Sequence, residues 1–503
     1  MKYFNNQKLL IILFFLFINY SKEDKLRWAF EIFRHGARTP YSGMTKDFKD
    51  CFGLQWNGIK ELTGVGLRQH FLVGYRNRVR YIEEKHLIKE NYDPREVYLI
   101  STDSNRTIMS ANAQVQGLYL PGTGPVLYEN QTKIAVPPIE AGSYEEEKQQ
   151  LDNDNFTALP NRMNIMPIHS FFNEEHFIQL QDKKVCPKTN EIYLKNQQRK
   201  EVVDFLNDMT EKYGKKLMNI LTEKDENILK NYTKAYYIFD TIIAQYTEGV
   251  DFFQNILDTL NVSQKELLDD SFKFFDLDLV GNGIDNDKEL CLHSMSPIFD
   301  RLIKWMDAKI EKDKEGLEDY TEYDLPKFVM FSAHDATCAA FMGFMKEVFG
   351  TEIRYPYFAT NINLELNRIE KEEGNINEDV YKIDYIINDE SMLNISYKEF
   401  VQKINEKKKS TEDINKFCGF DEQKKDDKKE EEKNDDKKDE NKGEQEEGST
   451  NVYIIVNVIL SIISIILIVL IILTIKKKKS KADSNMEDID KIEALTNMNE
   501  GAL

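Results

Sequence analysis

Three segments of this 503-residue chain share one local grammar, and together they predict an α/β fold, a sheet of buried strands with helices on both faces. Leu26 to Phe33 (LRWAFEIF) reads as a mostly apolar strand that runs into Arg34-His35-Gly36-Ala37-Arg38-Thr39-Pro40, where Gly36 and Pro40 break it. Val97 to Ser101 (VYLIS) reads as a buried strand followed by Thr102-Asp103-Ser104-Asn105-Arg106-Thr107 and a helical stretch through Met109, Ala113 and Val115. Phe328 to Phe331 is a short strand, and Ser332-Ala333-His334-Asp335 leads from it into an apolar helix, Ala336 to Val348. Apolar strands separated by long helical stretches suit a sheet that is not exposed to water on either side.

Composition agrees. With 41% apolar residues, 24 Tyr and 30 Phe against 23 Gly and 12 Pro, the chain can bury a large core, which excludes wholesale disorder and a collagen-like fibre. A net charge of −20, with no basic block in the folded part, repels polyphosphate backbones and excludes nucleic acid as a partner. Five Cys without a Cys-x-x-Cys pair exclude a disulfide scaffold and a cysteine metal centre.

The ends of the chain speak for compartment. Lys2 and Lys8 precede the ten-residue apolar run Leu9 to Ile18, which suits a signal peptide over residues 1–21; an uncleaved anchor is the alternative. The body, 22–420, has no internal repeat and no linker-like break. In the next segment, 421–450, 8 Lys and 14 Asp/Glu fill 22 of 30 positions, so nothing there offsets the cost of ordering a backbone and a solvated, disordered stalk is expected. Val452 to Ile475 then gives 24 residues without a formal charge, long enough for a transmembrane helix, and Lys476 to Lys479 hold the following tail, 476–503, in the cytosol. The expected topology is single-pass type I, with the body lumenal or extracellular and the membrane engaged through that one helix. Asn-x-Ser/Thr triplets at Asn130, Asn155, Asn231, Asn261 and Asn394 are glycosylation candidates on that side; Asn105 also heads a triplet, but a glycan beside Arg106 would obstruct the site described next.

Ligands of such sheets bind beyond the carboxyl ends of the strands, and each of the three loops lies just past one. They bring Arg34, His35, Arg38, Arg106, His334 and Asp335, a concentration of cations in an acidic protein. A small dense anion is the guest that fits: guanidinium forks match phosphate oxygens and draw off charge as it develops. His35, flanked by Arg34 and Arg38, is placed to attack phosphorus as a neutral imidazole. Asp335 can protonate a departing alkoxide if it holds a proton beforehand, and His334 can donate to phosphoryl oxygens from the other side. Taken singly, a His-Asp pair before a helix is more often a cap, and a lone arginine is more often surface. Two arginines and a histidine in a glycine-broken turn serve no packing purpose.

These residues resemble the signatures of the histidine acid phosphatases, the branch with the lysosomal and prostatic enzymes and, more distantly, the phytases. RHGARTP (34–40) fits the family signature, STDSNRTIMSA (101–111) its second arginine motif and SAHDAT (332–337) its His-Asp motif, with lesser echoes in LTGVGLRQH (62–70) and MPIHS (166–170). The resemblance implies a mixed sheet of the phosphoglycerate-mutase type with a smaller helical cap inserted roughly between residues 140 and 320. It implies His35 as the phosphorylated nucleophile, Asp335 as proton donor, and Arg34, Arg38, Arg106 and His334 as phosphate ligands. It also implies a disulfide between Cys186 and Cys418, leaves Cys51, Cys291 and Cys338 unassigned, and offers a homodimer as a candidate assembly.

No cofactor is expected, because the arginines meet the phosphoryl charge and no metal is needed. Asp276-Leu277-Asp278-Leu279-Val280-Gly281 opens like a calcium loop, but Val280 sits at a ligand position and Asp287 stands where a bidentate Glu is wanted. His169 and His293 are expected to be structural. The function implied is a membrane-anchored acid phosphatase acting on small phosphorylated substrates, in a lysosome-like vacuole or at the cell surface. The alternatives are a phytase-like inositol phosphate phosphatase and a catalytically silent receptor for phosphorylated ligands.

Overall fold

The computed structural model describes residues 24–41, 58–131, 134–135, 156–170, 186–221, 223–249, 252–280, 288–369 and 380–420. The expected signal peptide, stalk, membrane span and cytosolic tail lie outside these, as do Cys51 and Asn155; among the described residues no helix is long and apolar enough to cross a membrane.

Seven strands are described: β1 (Lys25–Arg34), β2 (Val97–Ser101), β3 (His169–Ser170), β4 (Phe328–Ala333), β5 (Asn361–Arg368), β6 (Tyr381–Ile387) and β7 (Glu390–Ser396). They form one mixed sheet in the order β3-β2-β4-β1-β5-β6-β7. Successive side chains of a strand point to opposite faces, and β1 is apolar on both: Trp28, Phe30 and Ile32 enter one core, Ala29 and Phe33 the other. A strand built that way must lie in the middle of a covered sheet. It does, with β4 parallel to it on one side and β5 antiparallel on the other.

The helices that cover the sheet are α1 (Gly64–Arg78), α2 (Asn105–Leu118), then, after the insert, α8 (Lys288–Lys314), α9 (Asp335–Phe349) and α10 (Tyr397–Lys407), with α11 (Thr411–Cys418) packed on α8. Ala111 and Val115 of α2 pack with Tyr81, Leu99 and Met330 on one face, whereas Phe299 of α8, Phe341 of α9 and Phe400 of α10 fill the other. The insert holds α3 (Pro187–Gln197), α4 (Lys200–Ile220), α5 (Tyr232–Glu248), α6 (Phe252–Leu260) and α7 (Gln264–Phe275) around a separate core that includes Leu206, Tyr213, Phe239 and Phe274. Tyr355 and Phe358 pack against that core from the loop before β5. Cys186 is disulfide-bonded to Cys418, tying the start of α3 to the end of α11 across 232 residues of chain.

The parallel half runs longer than its apolar runs suggest. β4 continues past Phe331 to Ala333, and the helix after it starts at Asp335 rather than Ala336. The reason is the ladder: β1 and β4 pair as far as Arg34 with Ala333, and β2 and β4 as far as Ser101 with Ser332. Beyond it, the His35 amide still donates to Ala333 O at 3.0 Å and the Thr102 amide to Ser332 O at 3.1 Å. Three strands thus end level, and the loops that follow them start side by side.

Candidate active site

The turn after β1 depends on a close approach of two backbones. A Cβ on Gly36 would stand 2.5 Å from Gly66 O, and one on Gly66 would stand 2.2 Å from Ala37 O. Only glycine at both places lets the first turn of α1 lie flat against the loop, which gives a physical reason for LTGVGLRQH. The same helix supplies His70, fully buried, whose Nε2–H donates to Arg34 O at 3.0 Å with Nδ1 3.0 Å from the Gln114 side-chain amide. The backbone that carries the first signature is therefore held from behind.

The His35 ring is buried, and its Nδ1–H donates to Gly36 O at 2.9 Å. A carbonyl can only accept, so the proton sits on Nδ1 and Nε2 keeps a free lone pair. Burial pushes the pKa of His35 well below its ordinary value, and the charges of Arg34 and Arg106, the His334 ring and then Arg38 push it further down. Both causes favour the neutral imidazole.

Each of the three guanidiniums is held in its own way. Arg34 donates to Pro356 O at 2.7 Å and to the Tyr355 hydroxyl at 3.2 Å, pairs with Asp335 at 2.6 Å and lies under the Phe358 ring at 4.3 Å. Arg38 is gripped by Asp240 through two bonds, 2.7 and 3.2 Å. Arg106 donates to Ser104 Oγ at 2.9 Å and to His334 Nδ1 at 3.2 Å. One donor is left over on each: Nε of Arg34, Arg38 and Arg106 is buried without a hydrogen-bond partner among the described residues. A buried donor left unmade costs about 1–3 kcal/mol, and three around one imidazole suit an anion with several acceptor oxygens.

His334 and Asp335 do not form a simple cap. His334 stands at the N-cap of α9 without a side-chain capping bond; its ring accepts from Arg106 through Nδ1 and donates through Nε2 to Thr102 Oγ1 at 2.9 Å. The His35 and His334 ring centroids are 5.6 Å apart. Burial and then Arg106 lower the pKa of His334, so it too is neutral as it stands. Asp335 accepts from the Ala336 amide at 2.9 Å. Burial alone would raise its pKa, but Arg34, Arg38 and His334 hold it below the ordinary carboxylate value. The general acid expected from sequence is thus held toward its carboxylate form by the neighbouring guanidiniums, Arg34 first.

All six residues singled out in the sequence meet here. Asp240, Tyr355, Phe358 and the supporting His70 were not among them. Asp240 carries a visible signal, a lone carboxylate inside the apolar run Tyr236 to Ala244; the other three carry none that separates them from core residues. Of the calcium-like segment, Asp276–Val280 is helical, and its Asp278 accepts hydrogen bonds from the Tyr193 and Tyr232 hydroxyls. His293 bonds Glu289 O and stacks on Phe417, and His169 stacks on Tyr98. Cys338 is buried in α9 with its thiol pKa pushed up by burial. Of the triplet asparagines, Asn130, Asn231, Asn261 and Asn394 are exposed; Asn105 is also exposed and donates to Glu61.

A mixed sheet whose parallel strands deliver two histidines, three arginines and an aspartate to one point defines a class of protein. The profile of the histidine phosphatase superfamily (branch 2) matches residues 25–388, and the chain belongs to that family. Among named relatives it is similar to lysosomal acid phosphatase of Xenopus laevis, 27% identical over 338 residues, covering 66% of this chain and 64% of that protein. It is also similar to lysosomal acid phosphatase of Rattus norvegicus, 24% identical over 365 residues, covering 71% and 70%, and to prostatic acid phosphatase of Homo sapiens, 34% identical over 113 residues, covering 22% and 28%. The match thus spans less than two thirds of the Xenopus relative. Among solved structures, the phytase from D. castellii covers 79% of this chain and 82% of its own at 12% identity, with a TM-score of 0.48.

Proposed function

We propose that the protein is an acid phosphatase that hydrolyses phosphate monoesters through a phosphohistidine on His35. The observation that carries this is the fixed Nδ1–H to Gly36 bond, which leaves Nε2 free among three guanidiniums that each retain an unspent buried donor. Nε2 attacks phosphorus, the bond from phosphorus to the ester oxygen breaks, and that oxygen takes a proton from Asp335. Water then attacks the phosphohistidine, its proton returns to the Asp335 carboxylate, and inorganic phosphate leaves.

For Asp335 to donate, it must first gain a proton. A phosphoryl group lodged among the arginines supplies negative charge beside Asp335 and competes with it for Arg34, so binding raises the pKa of Asp335. Mild acid helps by providing that proton, which the ester, whose second pKa is about 6, can carry in as its monoanion and pass to Asp335. The expected result is phosphate release that rises from about pH 7 to about pH 5 and is lost in His35→Ala; release unaffected by that substitution would overturn the reading.

The side chains packed about the arginines favour simple monoesters over inositol hexakisphosphate. Tyr355 and Phe358 lie against Arg34, Tyr41 and Phe358 against Arg38, and Lys60 sits over the Tyr41 ring. Such a wall suits one phosphoryl group on an apolar or aryl carrier. Comparing release from an aryl phosphate with release from inositol hexakisphosphate decides between them.

We also infer a lumenal or extracellular catalytic domain, anchored by the apolar segment Val452 to Ile475. Its support is the long-range disulfide, which persists in oxidising compartments, together with the four exposed triplet asparagines. A mobility shift on endoglycosidase treatment, and protection of the domain from protease in sealed vesicles, are the expected results.

A further inference from the structure

Among the described residues, α5 of the helical insert reaches the site through Asp240 and Tyr236. Asp240, in the middle of α5, is buried, and its carboxylate takes both terminal nitrogens of Arg38 and the Tyr41 amide at 2.7 Å. Asp240 is separated from Arg38 by 202 residues of chain. The groups that face it are Arg38 and Tyr41 from the loop after β1, Tyr236 one turn earlier on its own helix, and Tyr355 from the loop before β5. Asp335 and Arg106 also act electrostatically on Arg38, and Lys60 lies over the Tyr41 ring at 4.1 Å.

Two consequences follow. The first is geometric: with Nη1 spent on Thr39 O and Asp240 and one Nη2–H on Asp240, Arg38 can offer the site the buried, unpartnered Nε–H and the remaining Nη2–H. The second is electrostatic. His35 and His334 are neutral, so three guanidiniums face two carboxylates, Asp240 and Asp335, and the ligand-free site holds one net positive charge.

We propose that Asp240 is a positioning residue that both aims Arg38 and sets this charge balance, so that the site binds a phosphoryl dianion together with one proton, which comes to rest on Asp335. The inference rests on the phosphatase reading and deepens it. A dianion alone would leave the complex one charge negative; a dianion plus one proton leaves it neutral, and that proton is the one the departing ester oxygen needs. The site thus selects the protonation state that chemistry requires, and the pH at which it does so is set in part by a residue that does not touch substrate.

The test uses the full-length protein, the variants Asp240→Asn and Asp240→Glu, and inorganic phosphate as the probe. Calorimetric titration with phosphate at about pH 7.5, repeated in two buffers of different ionisation heat, reads proton uptake directly; about one proton per phosphate is expected for the wild type, and much less for Asp240→Asn. Asparagine keeps an acceptor for Arg38 and Tyr41 but removes the charge, which makes Asp335 harder to protonate, so its kcat/KM profile should move down by about one pH unit, with kcat falling more on an alkyl than on an aryl phosphate. Asp240→Glu, which restores the charge, should return the profile toward the wild-type position. Wild-type binding without proton uptake overturns the inference whether or not the variants fold, and so does a folded Asp240→Asn protein with an unshifted profile. These failures are distinct from failure of the underlying reading, which would appear as a wild type that neither releases phosphate nor loses activity in His35→Ala.

Discussion

The sheet and the helical insert contribute to one site in opposite ways. Arg34, meeting Asp335, and Arg38, meeting Asp240, are both arginine–carboxylate pairs within the same loop, yet the Asp335 side chain keeps 23% of its surface exposed and the Asp240 side chain 7%. Asp335 heads a helix that starts where β4 stops, among the other reacting groups; Asp240 is locked inside α5, behind the arginine it holds. The difference separates a carboxylate free to exchange its arginine for a substrate from one that is not. An active site of this kind needs both, since guanidiniums without a fixed partner would not be aimed and a proton donor with a fixed partner could not act.

The largest expected effect lies on the sheet side. His35→Ala should lower kcat by at least about 10⁴-fold, measured as steady-state phosphate release, while leaving the unfolding temperature nearly unchanged. Next comes Asp335→Asn, with a loss of about 10²–10⁴-fold on an alkyl phosphate and much less on an aryl phosphate whose leaving oxygen needs little help. Equal losses on the two would remove the difference drawn between the carboxylates. In the insert, the Phe274 ring is buried among Phe205, Phe239 and Phe275, so Phe274→Ala should cost about 3–5 kcal/mol in chemical denaturation and reduce activity only as far as it loosens Asp240.

The smallest effect is a change of slope with pH, and it belongs to the sheet. Glu31, buried on β1 and accepting from Asn77 and Gln114, has its pKa raised by burial from 4.5 to about 8. Its folded-state value lies above its unfolded one, so the stability it contributes is present in acid and is lost as pH rises toward about 8. His70 runs the other way: burial lowers its pKa from 6.5 to about 4, so its contribution is lost as pH falls through that window. The two offset in acid, and only Glu31 acts above 6.5. Glu31→Gln should therefore flatten the fall in unfolding temperature between about pH 6.5 and pH 8, and an unchanged slope would assign that fall to other groups.

What the sequence disclosed follows the same division. Arg34, His35, Arg38, Arg106, His334 and Asp335 were legible because each lies within a few residues of a strand end, where short-range patterning marks both the strand and the break that follows it. Parallel pairing then brings the strand ends level. Asp240 showed only as a lone carboxylate in an apolar run, and its role was not legible, because its partner is 202 residues away and only folding of the insert onto the sheet joins them. The antiparallel half, β5 to β7, produced no expectation at all; its strands mix polar and apolar residues, and β7 lies at the sheet edge largely open to solvent. The β6–β7 turn rests on Asn388 and Asp389, both with positive φ, a hairpin signal weaker than Asn-Gly. The role of Gly66 was visible only as an echo, since its reason is a contact with another loop rather than a local turn.

The central claim is that His35 Nε2 becomes phosphorylated, and rapid quenching of the enzyme with a phosphate-labelled aryl ester at about pH 5, followed by peptide mapping, tests it most directly. The expected result is an acid-labile, base-stable label on the peptide that contains His35, absent from His35→Ala. Turnover that continues with the label on any other residue, or with no labelled enzyme at any quench time in either the wild type or Asp335→Asn, would contradict it.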